Sequence, residues 1–136
     1  MANKKIEDVE GIGPVIGDKL RAAGIKDTDA LLARTKTPAQ RKALAKDSGL
    51  TYKQVLKFAN MVDLYRINGV GSEYAELLEA AGVDTVPELA RRRADNLARA
   101  MTDINTQRKL VRRTPTEAEV VKWVAEAKQL PRMLSY

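Results

Sequence analysis

The feature that most constrains this chain is a segment that occurs twice. The stretch "EGIGPVIGDKLRAAGI" at 10–25 returns as "NGVGSEYAELLEAAGV" at 68–83. Under one constant shift, Gly11, Gly13, Gly24 and Ile25 fall on Gly69, Gly71, Gly82 and Val83. The same shift lays Val9, Ile16, Leu20, Ala23 and Leu31 on Ile67, Tyr74, Leu78, Ala81 and Leu89. After an insertion in the second copy, "TYKQVLKFAN" (51–60) meets "TEAEVVKWVA" (116–125), pairing Val55 with Val120 and Phe58 with Trp123. One unit of about sixty residues is used twice, which is too few copies for a solenoid.

Each copy reads as helices. A Thr followed three residues later by Gln or Glu can exchange hydrogen bonds with the free amides of a helix start. That pairing occurs at Thr37/Gln40, Thr51/Gln54, Thr85/Glu88 and Thr116/Glu119. Pro38 suits a first helical position, and Gly24, Gly49 and Gly82 suit helix ends. The spacing predicts helices over 4–9, 14–23, 28–34, 38–48, 52–66, 72–81, 86–92, 96–105 and 117–130, with no strand. Residues 106–115, "TQRKLVRRTP", form a basic connector that holds the insertion. The expected fold is all-α, with two fused units (6–63 and 64–131) making one compact body over 1–136.

Composition narrows the chemistry. The chain has no Cys and no His, so thiolate metal sites, disulfides and imidazole general bases are excluded. Neither a cofactor nor a metal is expected. No apolar run is long enough to span a bilayer, and no secretory h-region follows Lys4 and Lys5, so a cytoplasmic location without membrane contact is expected. The net charge of +6 favours an anionic partner. Most of that excess lies in 85–113, where Arg91, Arg92, Arg93, Arg99, Arg108, Lys109, Arg112 and Arg113 face Glu88, Asp95 and Asp103. An enzyme is not expected. The remaining catalytic route, a lysine Schiff base at Lys19 or Lys26, needs a depressed pKa that nothing in the sequence marks.

A tight turn between two helices needs residues without Cβ that can adopt positive φ, and Gly11 and Gly13 are expected to supply both. Ile12 between them would fold inward, and Pro14 would open the next helix. Gly17 and its counterpart Ala75 would let the preceding segment pack closely. The patterns Val9-x-Gly11-Ile12-Gly13-x-x-x-Gly17-x-x-Leu20 and Ile67-x-Gly69-Val70-Gly71-x-x-x-Ala75-x-x-Leu78 resemble the helix-hairpin-helix motif. Across roughly 6–131 the chain is similar to an uncharacterised bacterial family of tandem helix-hairpin-helix proteins, a domain of unknown function.

The resemblance implies a SAM-like helical bundle and binding of the nucleic-acid phosphate backbone, DNA by preference, without sequence specificity. The contacting amides would be those of Gly13, Val15 and Ile16, and of Gly71, Glu73 and Tyr74. Some relatives in the wider superfamily also hold a monovalent cation on hairpin carbonyls. Two departures matter. Where binding copies carry Lys or Arg, this chain has Val15 and Glu73, and the second copy adds Glu76 and Glu79 without a basic residue between 72 and 81. The candidate binding set is therefore Gly11, Gly13, Val15, Ile16, Lys19 and Arg21, together with Arg91, Arg92, Arg93, Arg108, Lys109, Arg112 and Arg113. Gly69, Gly71 and Glu73 form a hairpin expected to be structural. Tyr74 and Trp123 are expected in the core. The alternative function is a protein-interaction or scaffold module whose hairpins only pack helices.

Overall fold

A computed structural model describes residues 3–136; Met1 and Ala2, where the expected 1–136 body begins, lie outside the described residues. A 3-10 turn at Ile6–Asp8 precedes α1 (Pro14–Ala22), α2 (Thr28–Ala33), α3 (Pro38–Ser48), α4 (Tyr52–Leu64), α5 (Ser72–Ala80), α6 (Val86–Ala90), α7 (Ala94–Arg108) and α8 (Glu117–Gln129). The fold is all-α: among the described residues the only β pairing is a single antiparallel bridge, Lys5 to Asp27. That bridge explains one difference from the sequence reading. The helix expected over 4–9 shrinks to one 3-10 turn, because Lys4 and Lys5 spend their backbone groups on the segment before α2, with the Thr28 amide donating to the Lys4 carbonyl.

The chain divides into two compact units. One comprises the described residues up to Asp63 together with Met133–Tyr136, and the other is Leu64–Arg132. Each unit is built on the same scheme. In the first, the amides of Val9, Ile12 and Gly17 donate to the carbonyls of Ile6, Val9 and Gly13. In the second, those of Ile67, Val70 and Ala75 donate to Leu64, Ile67 and Gly71. The helix that follows ends alike in both. Gly24 and Gly82 take φ of +91° and +90°, and the next amides, Ile25 and Val83, reach back to Leu20 and Leu78. Ile25 and Val83 are fully buried, so each stop also seals its core.

The expected caps operate. Thr37 and Thr116 form reciprocal capping boxes with Gln40 and Glu119, and Thr51 exchanges bonds with Gln54. At Thr85 the hydroxyl accepts the Glu88 amide and donates to the Glu88 carboxylate. One cap was missed in sequence: Asp27 starts α2 by accepting the Ala30 amide at 2.8 Å. That bond, then the Asn3 amide, holds the Asp27 carboxyl below its usual range.

In the second unit α8 packs on α6 and α7, and α7 on α5. The match between the two units is interrupted here by the insertion. Helix α7 runs to Arg108, three residues past its expected end, and closes on Lys109 in the left-handed region at φ +53°. The Asn105 side chain then brackets Val111, donating to its carbonyl and accepting from its amide, and Val111 is buried. The first three residues of the 106–115 connector are thus helix and the rest is loop, pinned at Val111.

The first unit contains a buried cation. Arg41 on α3 is fully buried and has no carboxylate partner among the described residues. Its guanidinium donates to the carbonyls of Thr35 (2.8 Å) and Ser135 (2.6 Å) and to the Tyr52 hydroxyl (3.1 Å). The rings of Tyr52 and Tyr136 flank it at 5.9 and 5.2 Å. Carbonyl dipoles and ring faces compensate the desolvated charge. Two of these partners come from the last residues of the chain, where Leu134 is buried and the Ser135 amide donates to Lys36.

Candidate nucleic-acid interface

The two glycines of each turn do different work. Gly11 and Gly69 take φ of +89° and +88°. A Cβ there would lie 3.5 Å from the Phe58 ring in the first unit and 3.4 Å from the Trp123 indole nitrogen in the second. Positive φ had been expected of Gly13 as well. Instead Gly13 and Gly71 are extended, at φ −91° and −103°, and serve as N-caps of α1 and α5. A Cβ on Gly13 would meet nothing within 4 Å. Gly17 is buried against Glu7, whose Oε1 lies 2.9 Å from where its Cβ would be, in line with the close packing expected there.

The start of α1 is bare. Its N-cap Gly13 offers no side-chain acceptor, and no acidic residue sits in the first turn. The amides of Val15 and Ile16 precede the first intrahelical donor, Gly17, which bonds the Gly13 carbonyl at 2.8 Å. Val15 is 69% exposed, and Lys19, four residues on and exposed, continues the same helix face. Glu10, also exposed, precedes Gly11 in the turn. Arg21 is committed elsewhere: its guanidinium pairs with Glu7 and, at 2.6 Å, with Asp18.

The start of α5 is not bare. Glu73 is exposed in its first turn. The Glu126 carboxylate accepts the Asn68 amide in the turn before it. Tyr74, expected in the core, is only half-buried; its ring lies against Trp123 at 5.3 Å and its hydroxyl donates to the Arg113 carbonyl at 2.9 Å. Trp123 is buried as expected. The Tyr74 bond ties the inserted segment, at the Arg113 carbonyl, to the first turn of α5, a helix that carries no basic residue of its own.

The eight basic residues of 85–113 are spread along and beyond both ends of α7. Arg91–Arg93 and Arg108–Arg113 sit at opposite ends of α7, a separation of about 20 Å at 1.5 Å per residue. Three are engaged in the fold. Arg92 donates to the Ala81 carbonyl at 3.0 Å, as Arg34 does to Ala23 in the first unit. Arg93 pairs with Asp95 at 3.0 Å. Arg113 grips Glu119 with two bonds of 2.7 and 3.1 Å. That pairing, with the Thr116 amide second, pulls the Glu119 carboxyl from its ordinary 4.5 to about 2, and the same pairing raises Arg113. Arg91, Arg99, Arg108, Lys109 and Arg112 are exposed and form no ion pair among the described residues.

No group of three or more acidic residues is placed to hold a metal among the described residues. No helix there is long and apolar enough to cross a membrane.

Fold and site together define an all-α protein in which one glycine-turn unit occurs twice, the two differing in the charge around the turn and in the inserted segment. A family model described as a domain of unknown function (DUF4332) matches residues 10–130, and the chain belongs to that family. No curated protein and no solved structure matched it.

Proposed function

We propose that the protein binds the phosphate backbone of nucleic acid without reading sequence. The observation that carries the reading is Gly13. Neither backbone strain nor crowding demands a glycine at this N-cap, since its φ is ordinary and a Cβ would meet nothing. A residue without a side chain at the mouth of an uncapped helix leaves room for a phosphate to approach the free amides, where the helix dipole favours negative charge. The likeness of both turns to the helix-hairpin-helix motif supports the same reading. Amide contacts of this kind hold the backbone and carry no base information.

Under this reading the first turn acts through its amides and Lys19, with Arg21 outside the contact set because of its two carboxylates. The second turn is poorly suited by itself, because Glu73 occupies the first turn of α5. Arg108, Lys109 and Arg112 supply cationic charge to that region through the inserted segment. A cytoplasmic location fits a nucleic-acid ligand.

The test is a titration of labelled single- and double-stranded DNA and RNA of several sequences at two salt concentrations. Binding should be similar across sequences and should weaken with salt. Val15→Glu should weaken it, because a carboxylate beside a bound phosphate opposes it by ~1 kcal/mol or more. Glu73→Ala should leave binding unchanged or improve it. Arg108→Gln with Arg112→Gln should lower the log–log salt slope by ~0.9 per lost duplex contact. No binding to any of these polymers at low salt would leave the turns as helix-packing devices of a protein-interaction module.

A further inference from the structure

Helix α8 carries an open groove of about 590 Å³ on the side facing the start of α7. Its floor is Val121, Val124 and Ala125, and Val121 is 50% exposed. Around the rim, Arg92 and Arg93 are satisfied within the chain, by Ala81 and Asp95. Two lining charges have neither an ion pair nor a side-chain hydrogen bond among the described residues: Glu117 in the first turn of α8 and Lys128 in its last. They have opposite sign and sit about 16 Å apart along one helix face.

We infer that this face docks a second copy of the same chain, with two α8 helices antiparallel. An isologous two-fold contact needs a surface complementary to itself. Here the requirement is met residue by residue. When the helices run in opposite directions about a point between Lys122 and Trp123, Glu117 of each copy faces Lys128 of the other. In the same register Val121 of each lies against Val124 and Ala125 of the other, so the exposed apolar residue is covered where the charges meet. A parallel arrangement would set like charges side by side. The contact is independent of the glycine turns and of nucleic-acid binding.

Sedimentation equilibrium of the full chain, from micromolar to millimolar concentration and without nucleic acid, should show the mass rising from one chain toward two. Glu117→Lys and Lys128→Glu should each weaken the dimer by about tenfold, since either change puts two like-charge pairs into one interface. An equimolar mixture of the two variants should recover the affinity, because every introduced charge then meets its opposite. Val121→Lys should abolish dimerisation with the helical circular dichroism intact. A single-chain mass at every concentration overturns the proposal, as does a dimer that neither charge reversal affects or that the mixture does not restore.

Discussion

Two residues apart, Gly11 turns through φ +89° while Gly13 runs extended at −91°, and the difference separates stability from ligand access. A side chain at Gly11 would sit in a region that L-residues occupy at a cost. Gly11→Ala should therefore destabilise the protein by ~1–2 kcal/mol, read from urea denaturation. Gly69→Ala should behave alike. Gly13→Ala has neither strain nor crowding and loses only the N-cap preference for glycine over alanine, so it should cost less than Gly11→Ala, ~0.5 kcal/mol. Its larger effect should appear in nucleic-acid affinity. Equal destabilisation at the two glycines would mean that the strain is not confined to Gly11. Lys109 presents the converse case, an L-residue at φ +53° where α3 uses Gly49 at +76°. Lys109→Gly should stabilise by ~0.5–1 kcal/mol by relieving that conformation, a gain visible as a higher urea midpoint.

At the scale of elements, α8 shows how a cap and an ion pair combine. Thr116 accepts the Glu119 amide, and the Glu119 carboxylate returns to the Thr116 amide while also holding Arg113. The Glu119 carboxyl titrates near 2 when folded and near its ordinary 4.5 when unfolded. A depressed folded pKa stabilises above the unfolded value, and the contribution is lost as pH falls through the folded one. Wild type should therefore lose stability between about pH 4.5 and pH 2 more steeply than Glu119→Gln, in denaturation curves collected across that range. Parallel pH profiles would show that the pair is screened to insignificance. Thr116→Ala removes the reciprocal cap and should cost ~1 kcal/mol at neutral pH.

For the whole molecule, the last residues are part of the first unit even though the chain leaves that unit at Asp63 and passes through Leu64–Arg132 before returning. Leu134 fills its core, and Ser135 and Tyr136 complete the surroundings of Arg41. Deleting residues 133–136 removes a buried leucine and orphans a buried guanidinium donor. The expected loss is about 2–4 kcal/mol. Hydrogen exchange should show it as lost protection in α3, while emission from Trp123, the sole Trp, which lies in the second unit, changes little. Unchanged exchange in α3 would mean that the tail contributes nothing to holding Arg41.

Local rules were enough for most of the helices. Thr caps, Pro at first turns and Gly at stops act within a few residues, so their effects are legible without knowing what packs where. The repeat carried further, because residues matched between copies, such as Leu20 with Leu78 and Phe58 with Trp123, must fill matched places and are buried together. Charges were not legible in the same way. An arginine looks free in sequence until a partner arrives from elsewhere, as Glu7 does for Arg21, Ala81 for Arg92 and Glu119 for Arg113. Arg41 lies in an ordinary-looking helix, yet its burial depends on Ser135 and Tyr136, some ninety positions away. Most helices, their caps and the existence of the repeated turn are legible in the residues alone, because backbone hydrogen bonding and steric limits act among near neighbours; the lost 4–9 helix, the longer α7 and the extended Gly13 are not. Only the tertiary structure decided which cations are spent on the fold and which remain exposed, because ion pairing depends on distances that the order of residues does not contain.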